Sequence, residues 1–101
     1  MTQDEAQAKL EEYRVLIDSV DRRIVELLNE RTRVVEEIGR VKRHLSLPIY
    51  EPRREDEVFE NVTSHNPGPL SADSVKRVFE RIIDEMRNVQ RLRMLEKDGK
   101  S

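Results

Sequence analysis

Along the first half of the chain, Leu10, Tyr13, Ile17, Val20, Ile24, Leu27, Arg31, Val34, Ile38, Val41 and Leu45 recur at alternating steps of three and four. That spacing predicts a sustained heptad stripe on one long helix. Thr2 and Glu5 have capping-box spacing, so the helix is expected to begin near Gln3, and the stretch Leu45-Ser46-Leu47-Pro48 sets its end. From Leu10 to Leu45 it would run roughly 50 Å at 1.5 Å per residue, about twice the span of a compact domain of this size. One chain cannot cover such a stripe, and a two-fold pairing with a copy of itself is the simplest way to bury it.

A second, short helix is expected from Pro52, whose missing amide hydrogen costs nothing at the first helical position. Its inner face would carry Val58, Phe59 and Val62, and it would stop before His65-Asn66-Pro67-Gly68-Pro69. A third helix of medium length opens at Ser71 as N-cap, with Asp73 in its first turn and Leu70 and Val75 placed as a hydrophobic staple. Its inner face reads Val75, Phe79, Ile82, Ile83, Met86 and Val89, and the polar residues after Leu95 are expected to fray. No segment alternates with period two. The fold class is therefore all-α, three helices (one very long, one short, one medium) paired two-fold with a second copy, with a helical domain over residues 1–95 and a polar tail over 96–101.

Composition narrows the function. Of 101 residues, 36% are apolar and 40% charged, so a single chain would bury only a thin core. Basic and acidic residues number 19 and 21, a near-cancellation that excludes a nucleic-acid binder driven by bulk charge. Any anion site must be local. The absence of cysteine removes thiolate chemistry and cysteine-ligated zinc, and the two histidines, His44 and His65, are far apart in sequence, so no metal is expected. The longest apolar run, Val15-Leu16-Ile17, is too short for a signal-peptide core or a membrane span, so a cytoplasmic protein with no membrane association is the expectation.

The residues that break the apolar stripe carry the chemistry. Arg31 stands where the heptad calls for a core residue, and its helical neighbours Leu27, Leu28, Val34 and Val35 carry no charge. Lys42 lies one position off the stripe among Ile38, Gly39, Leu45 and Ser46. A buried cation without a counter-charge costs several kcal/mol, on the order of 3–5, so each calls for an anion from another segment, another chain or a ligand. A polar residue at a core position also serves simply to fix register, which is the competing explanation for Arg31. Arg14 has Glu11 and Asp18 within reach on its own helix, enough to explain it as a solvated pair. Gly39, in mid-helix, costs about 1 kcal/mol relative to alanine and suggests close approach by a ligand or a crossing helix. Glu51, Arg54 and Glu55 cluster with Tyr50 at the start of the second helix, where Arg54 leads by four into Val58 and Glu55 by four into Phe59, so both are expected to lean inward. A solvated charge run is the alternative there. Gln90, four after Met86 and seven after Ile83, puts an amide on a buried face, where it must find partners.

These residues together resemble the all-α bacterial-type (type II) chorismate mutases. The segment Leu10 to Lys42, with Arg14, Ile17-Asp18, Asp21, Leu27-Leu28, Glu30-Arg31, Ile38-Gly39 and Lys42, is similar to that family's first helix. Pro48-Ile49-Tyr50-Glu51-Pro52, with Arg54-Glu55, is similar to its loop and second-helix start, and Phe79 to Gln90 to its third helix. The likeness spans about residues 10 to 92. It implies an intertwined homodimer with two equivalent sites that rearranges the dianion chorismate to prephenate, with no cofactor. An intramolecular rearrangement needs a held conformer and stabilised charge, and no nucleophile. The resemblance further implies that Arg31, Arg54 and an Arg14 donated by the other subunit bind the two carboxylates, that Lys42 and Gln90 hydrogen-bond the ether oxygen, and that Glu55 accepts from the ring hydroxyl. Glu51 would line the site, and Asp21 would orient an arginine at the dimer interface. Met86 departs from the pattern, standing where relatives often carry a small hydroxyl residue that helps bind a carboxylate.

Arg14 and Arg31 lie 17 positions apart, about 25 Å of helix, too far to grip one small ring from a single chain. An antiparallel partner with its two-fold axis near residue 25 brings Arg14 opposite the stretch between Arg31 and Lys42. Isochorismate-pyruvate lyase shares this fold and much of the cationic pocket, although Arg54-Glu55 after Tyr50-Glu51-Pro52 looks more like the mutases. A regulatory or dimerisation domain associated with another shikimate-pathway enzyme, and a plain dimeric adaptor whose cations are interface salt bridges, are the non-catalytic alternatives.

Overall fold

The computed structural model describes residues 1–99 and contains three helices, α1 (Gln3–His44), α2 (Pro52–Ser64) and α3 (Ala72–Gly99). The chain groups into two compact units, Met1–Arg33 and Val34–Ser101.

The first unit is helix throughout after its cap. Thr2 Oγ1 accepts the backbone N–H of Glu5 at 3.1 Å, so α1 starts at Gln3 for the reason its capping spacing suggests. Asp4 and Glu5 in the first turn complement the positive end of the helix dipole. Leu10, Tyr13, Ile17, Val20, Ile24 and Leu27 are all exposed, so the heptad stripe has no cover within one chain. Packing is what sustains most helices of this length, and here the apolar face awaits it.

In the second unit α1 ends through backbone bonds. The N–H of Leu47 reaches the Lys42 carbonyl at 2.7 Å and that of Ser46 the Arg43 carbonyl at 3.1 Å, with Ser46 at φ 57°. This is a Schellman closure with serine in the left-handed position that glycine usually takes. Lys42, Arg43 and His44 in the last turn suit the negative end of the dipole. Pro52 opens α2 as expected, and the Glu51 carbonyl accepts the Glu55 N–H at 3.1 Å. Ser71 Oγ caps α3 by accepting the Ser74 N–H at 3.1 Å. Ahead of it, Asn66 Oδ1 accepts the Gly68 N–H at 3.0 Å and Gly68 takes φ 80°, which a residue with a Cβ rarely adopts.

The core of this unit is small: Val35, Ile83 and Met86 are buried, with Val58, Phe59, Val62, Val75, Phe79, Ile82 and Val89 half-buried around them. The inner faces expected of α2 and α3 are the ones observed. α3 runs to Gly99, and Lys100 and Ser101 of the expected polar tail lie outside the described residues. No described helix is long and apolar enough to cross a membrane.

Candidate functional site

Within the second unit, the last turns of α1, the loop after it and α3 enclose a cleft lined by Gly39, Lys42, Arg43, Ile49, Gln90 and Arg93. Lys42 and Gln90, separated by 48 positions, therefore face the same space.

Lys42 finds its counter-charge in the loop, as an off-stripe cation requires. Its side chain is 14% exposed, with Nζ 2.7 Å from Glu51 Oε1 and donating to the Ile49 carbonyl at 3.0 Å. An ammonium has three hydrogens, so two are committed and one is left to donate into the cleft. Glu51 is the N-cap residue of α2 but makes no side-chain capping bond. Its carboxylate serves Lys42 instead.

Gln90 is 8% exposed, and its Nε2 donates to the Val35 carbonyl at 3.3 Å. One amide hydrogen thereby anchors the side chain to α1, and the second is left for another acceptor. Gln90 packs against Gly39 of the crossing helix, where a Cβ would stand 3.6 Å from Gln90 Cγ and 3.9 Å from Nε2, ordinary van der Waals contact that an alanine would also make. The crossing-helix approach that a mid-helix glycine suggests is present, but the seating of Gln90 does not require the glycine.

Glu55 leans inward as expected, 19% exposed, with Oε2 3.3 Å from Arg87 Nε. Arg54 does not. It is 65% exposed and pairs with Glu57 at 3.2 Å on its own helix. The reason is angular, since Glu55 lies between the rows leading to Val58 and Phe59 on the buried side, whereas Arg54 lies at the edge and its long side chain turns to water. Met86 is buried.

In the first unit, Arg14 is exposed and pairs with Glu11 at 2.7 Å, the solvated pair its spacing suggests. Arg31 is half-buried and not without a partner. Asp21 is exposed.

Three cations near the site escape the sequence reading. Arg93 on α3 pairs with Glu36 on α1 at 2.5 Å; that hydrogen bond, the charge of Glu36, and then Glu96 hold its guanidinium above its ordinary pKa. Arg43 lines the cleft, and its buried Nε makes no hydrogen bond among the described residues. Arg87 donates a hydrogen bond to Asp84 and faces Glu55 Oε2 at 3.3 Å as an ion pair, its buried Nε making no hydrogen bond among the described residues. Its signal was its position: residues 83, 86, 87 and 90 share one face of α3, so a charge at 87 points the same way as Gln90.

The second unit is thus an all-α arrangement whose cleft presents cationic donors and a buried carboxamide. Residues 13–91 match the family described as chorismate mutase type II, and the chain belongs to it. It is 35% identical over 79 residues to the bifunctional chorismate mutase/prephenate dehydratase of Aquifex aeolicus, covering 74% of this chain and 22% of that protein. The chain thus spans about a fifth of the length of such bifunctional relatives. A solved chorismate mutase from Thermus thermophilus (Form II) superposes with a TM-score of 0.80 at 36% identity, covering 82% of this chain and 94% of that one. The chorismate mutase of Helicobacter pylori, solved in complex with prephenate, gives a TM-score of 0.82 at 25% identity, covering 88% and 97%.

Proposed function

We propose that this protein is a chorismate mutase, rearranging chorismate to prephenate in a cleft built around Lys42 and Gln90. The observation that carries the reading is the buried Gln90 carboxamide set against Gly39 in the same cleft as the Lys42 ammonium. Both groups have a hydrogen left to donate. In the rearrangement the ether C–O bond breaks as a C–C bond forms within the same molecule, and negative charge grows on the ether oxygen. Two preorganised donors at that oxygen stabilise the transition state more than the ground state. No proton is transferred, so the reaction calls for no acid–base pair.

The site is completed by a second copy of the chain. The uncovered stripe from Leu10 to Leu27 supports a two-fold pairing through α1, since a solvated apolar row of that length is rare in a monomer. Arg14 of the partner then joins Arg31 and Arg54 in binding the two carboxylates, Arg54 exchanging Glu57 for substrate, and Glu55 accepts from the ring hydroxyl. Glu51 keeps the loop closed through Lys42, and Met86 forms an apolar floor where a hydroxyl would add a contact. The enzyme works in the cytoplasm. An enzyme that consumes prephenate is a fitting partner, given relatives whose names join the mutase to a dehydratase.

Incubating the purified protein separately with chorismate and isochorismate and separating the products tests the reading. Prephenate from chorismate is the expected result. Salicylate and pyruvate from isochorismate, with little prephenate, would assign the chain to the lyases, and no product from either would leave a binding or dimerisation domain.

A further inference from the structure

We propose that Arg87 is a positioning residue that aims Glu55 at the substrate's ring hydroxyl, an inference that rests on the chorismate mutase reading. Arg87 is a cation 27% exposed on the inner side of α3, one residue after buried Met86 and three before buried Gln90. Its Nε lies 3.3 Å from Glu55 Oε2 on α2, and its NH2 nitrogen lies 2.6 Å from Asp84 Oδ1 on its own helix. Its guanidinium carbon stands 5.3 Å from the centre of the Tyr50 ring in the loop ahead of α2. One planar group thus joins three elements: the loop, the first turn of α2 and the middle of α3.

The arrangement bears on Glu55 in two ways. A carboxylate that is four-fifths withdrawn from water beside Val58 and Phe59 needs a fixed counter-charge, and Arg87 supplies it while Asp84 balances the rest of the guanidinium charge. The contact is made through Oε2, which leaves Oε1 to accept a hydroxyl hydrogen from a ligand. The Tyr50 ring adds a cation–π contact that holds the guanidinium against the loop. Arg87 therefore acts through Glu55 and does not itself contact substrate.

A double-mutant cycle tests this, comparing wild type, Arg87→Met, Glu55→Gln and the double variant by kcat/KM for chorismate, with thermal unfolding of all four. Arg87→Met should lower kcat/KM about tenfold, as expected when a substrate-binding carboxylate loses its fixed counter-charge, and Arg87→Lys should recover part of the loss. In the Glu55→Gln background, Arg87→Met should cost no further activity. Losses that multiply would overturn the proposal, as would an Arg87→Met protein of wild-type activity, or activity losses that simply follow losses of thermal stability. A wild-type protein with no mutase activity would show itself first, before any variant is compared, and would remove the reading on which the proposal stands.

Discussion

Lys42 and Glu51 meet at 2.7 Å, tying the last turn of α1 to the residue that opens α2. A capping position has been given up for an ion pair, because α2 has Pro52 at its first position and so one fewer amide to satisfy. The pair keeps the loop against the helix and the ammonium at the mouth of the cleft. Lys42→Ala should therefore reduce kcat/KM by about 100-fold or more, the scale of losing one preorganised transition-state donor. Glu51→Gln, which keeps a hydrogen-bond acceptor, should cost much less. Steady-state rates of prephenate formation, with circular dichroism to check the helices, give both numbers.

Gln90 donates without changing charge, so the wild-type rate should persist through neutral pH. Gln90→Glu should behave otherwise. A carboxyl donates only while protonated, so the variant should be active at acid pH and lose rate as pH rises through the carboxyl's pKa. A pH–rate profile of the two proteins shows whether the amide hydrogen is the working group.

Ser71 gives a control on stability alone. Its Oγ satisfies the Ser74 N–H at the start of α3, away from the cleft. Ser71→Ala should destabilise the fold by about 1 kcal/mol and leave kcat/KM unchanged, as read from thermal unfolding beside the activity assay.

The helix boundaries were legible because their causes are local. Thr2, Pro52 and Ser71 act within three or four residues of themselves, and α1, α2 and α3 begin where they direct. The inner faces of α2 and α3 followed from period alone. The site was legible only in part. That Lys42 needed an anion was clear from its neighbours, but the choice of Glu51 depends on a loop closure made by backbone bonds at Ser46 and Leu47, which no side-chain pattern encodes. Arg54 and Glu55 looked alike in sequence, one position apart, and differ because one helical step of about 100° separates a buried row from its edge. Arg87 reads as one more charge in a charged helix until the face it shares with Ile83, Met86 and Gln90 is followed through.

The central claim is a cleft completed across two chains, and subunit complementation tests it most directly. Arg14→Ala and Lys42→Ala proteins, each inactive alone, are unfolded together, refolded, and assayed for prephenate formation. If Arg14 serves the partner's Lys42, each mixed dimer contains one intact site, and random pairing should restore about a quarter of wild-type activity. If both residues served the same chain's site, every site in the mixture would lack one of them, and activity that stays at the level of the separate variants would contradict the account.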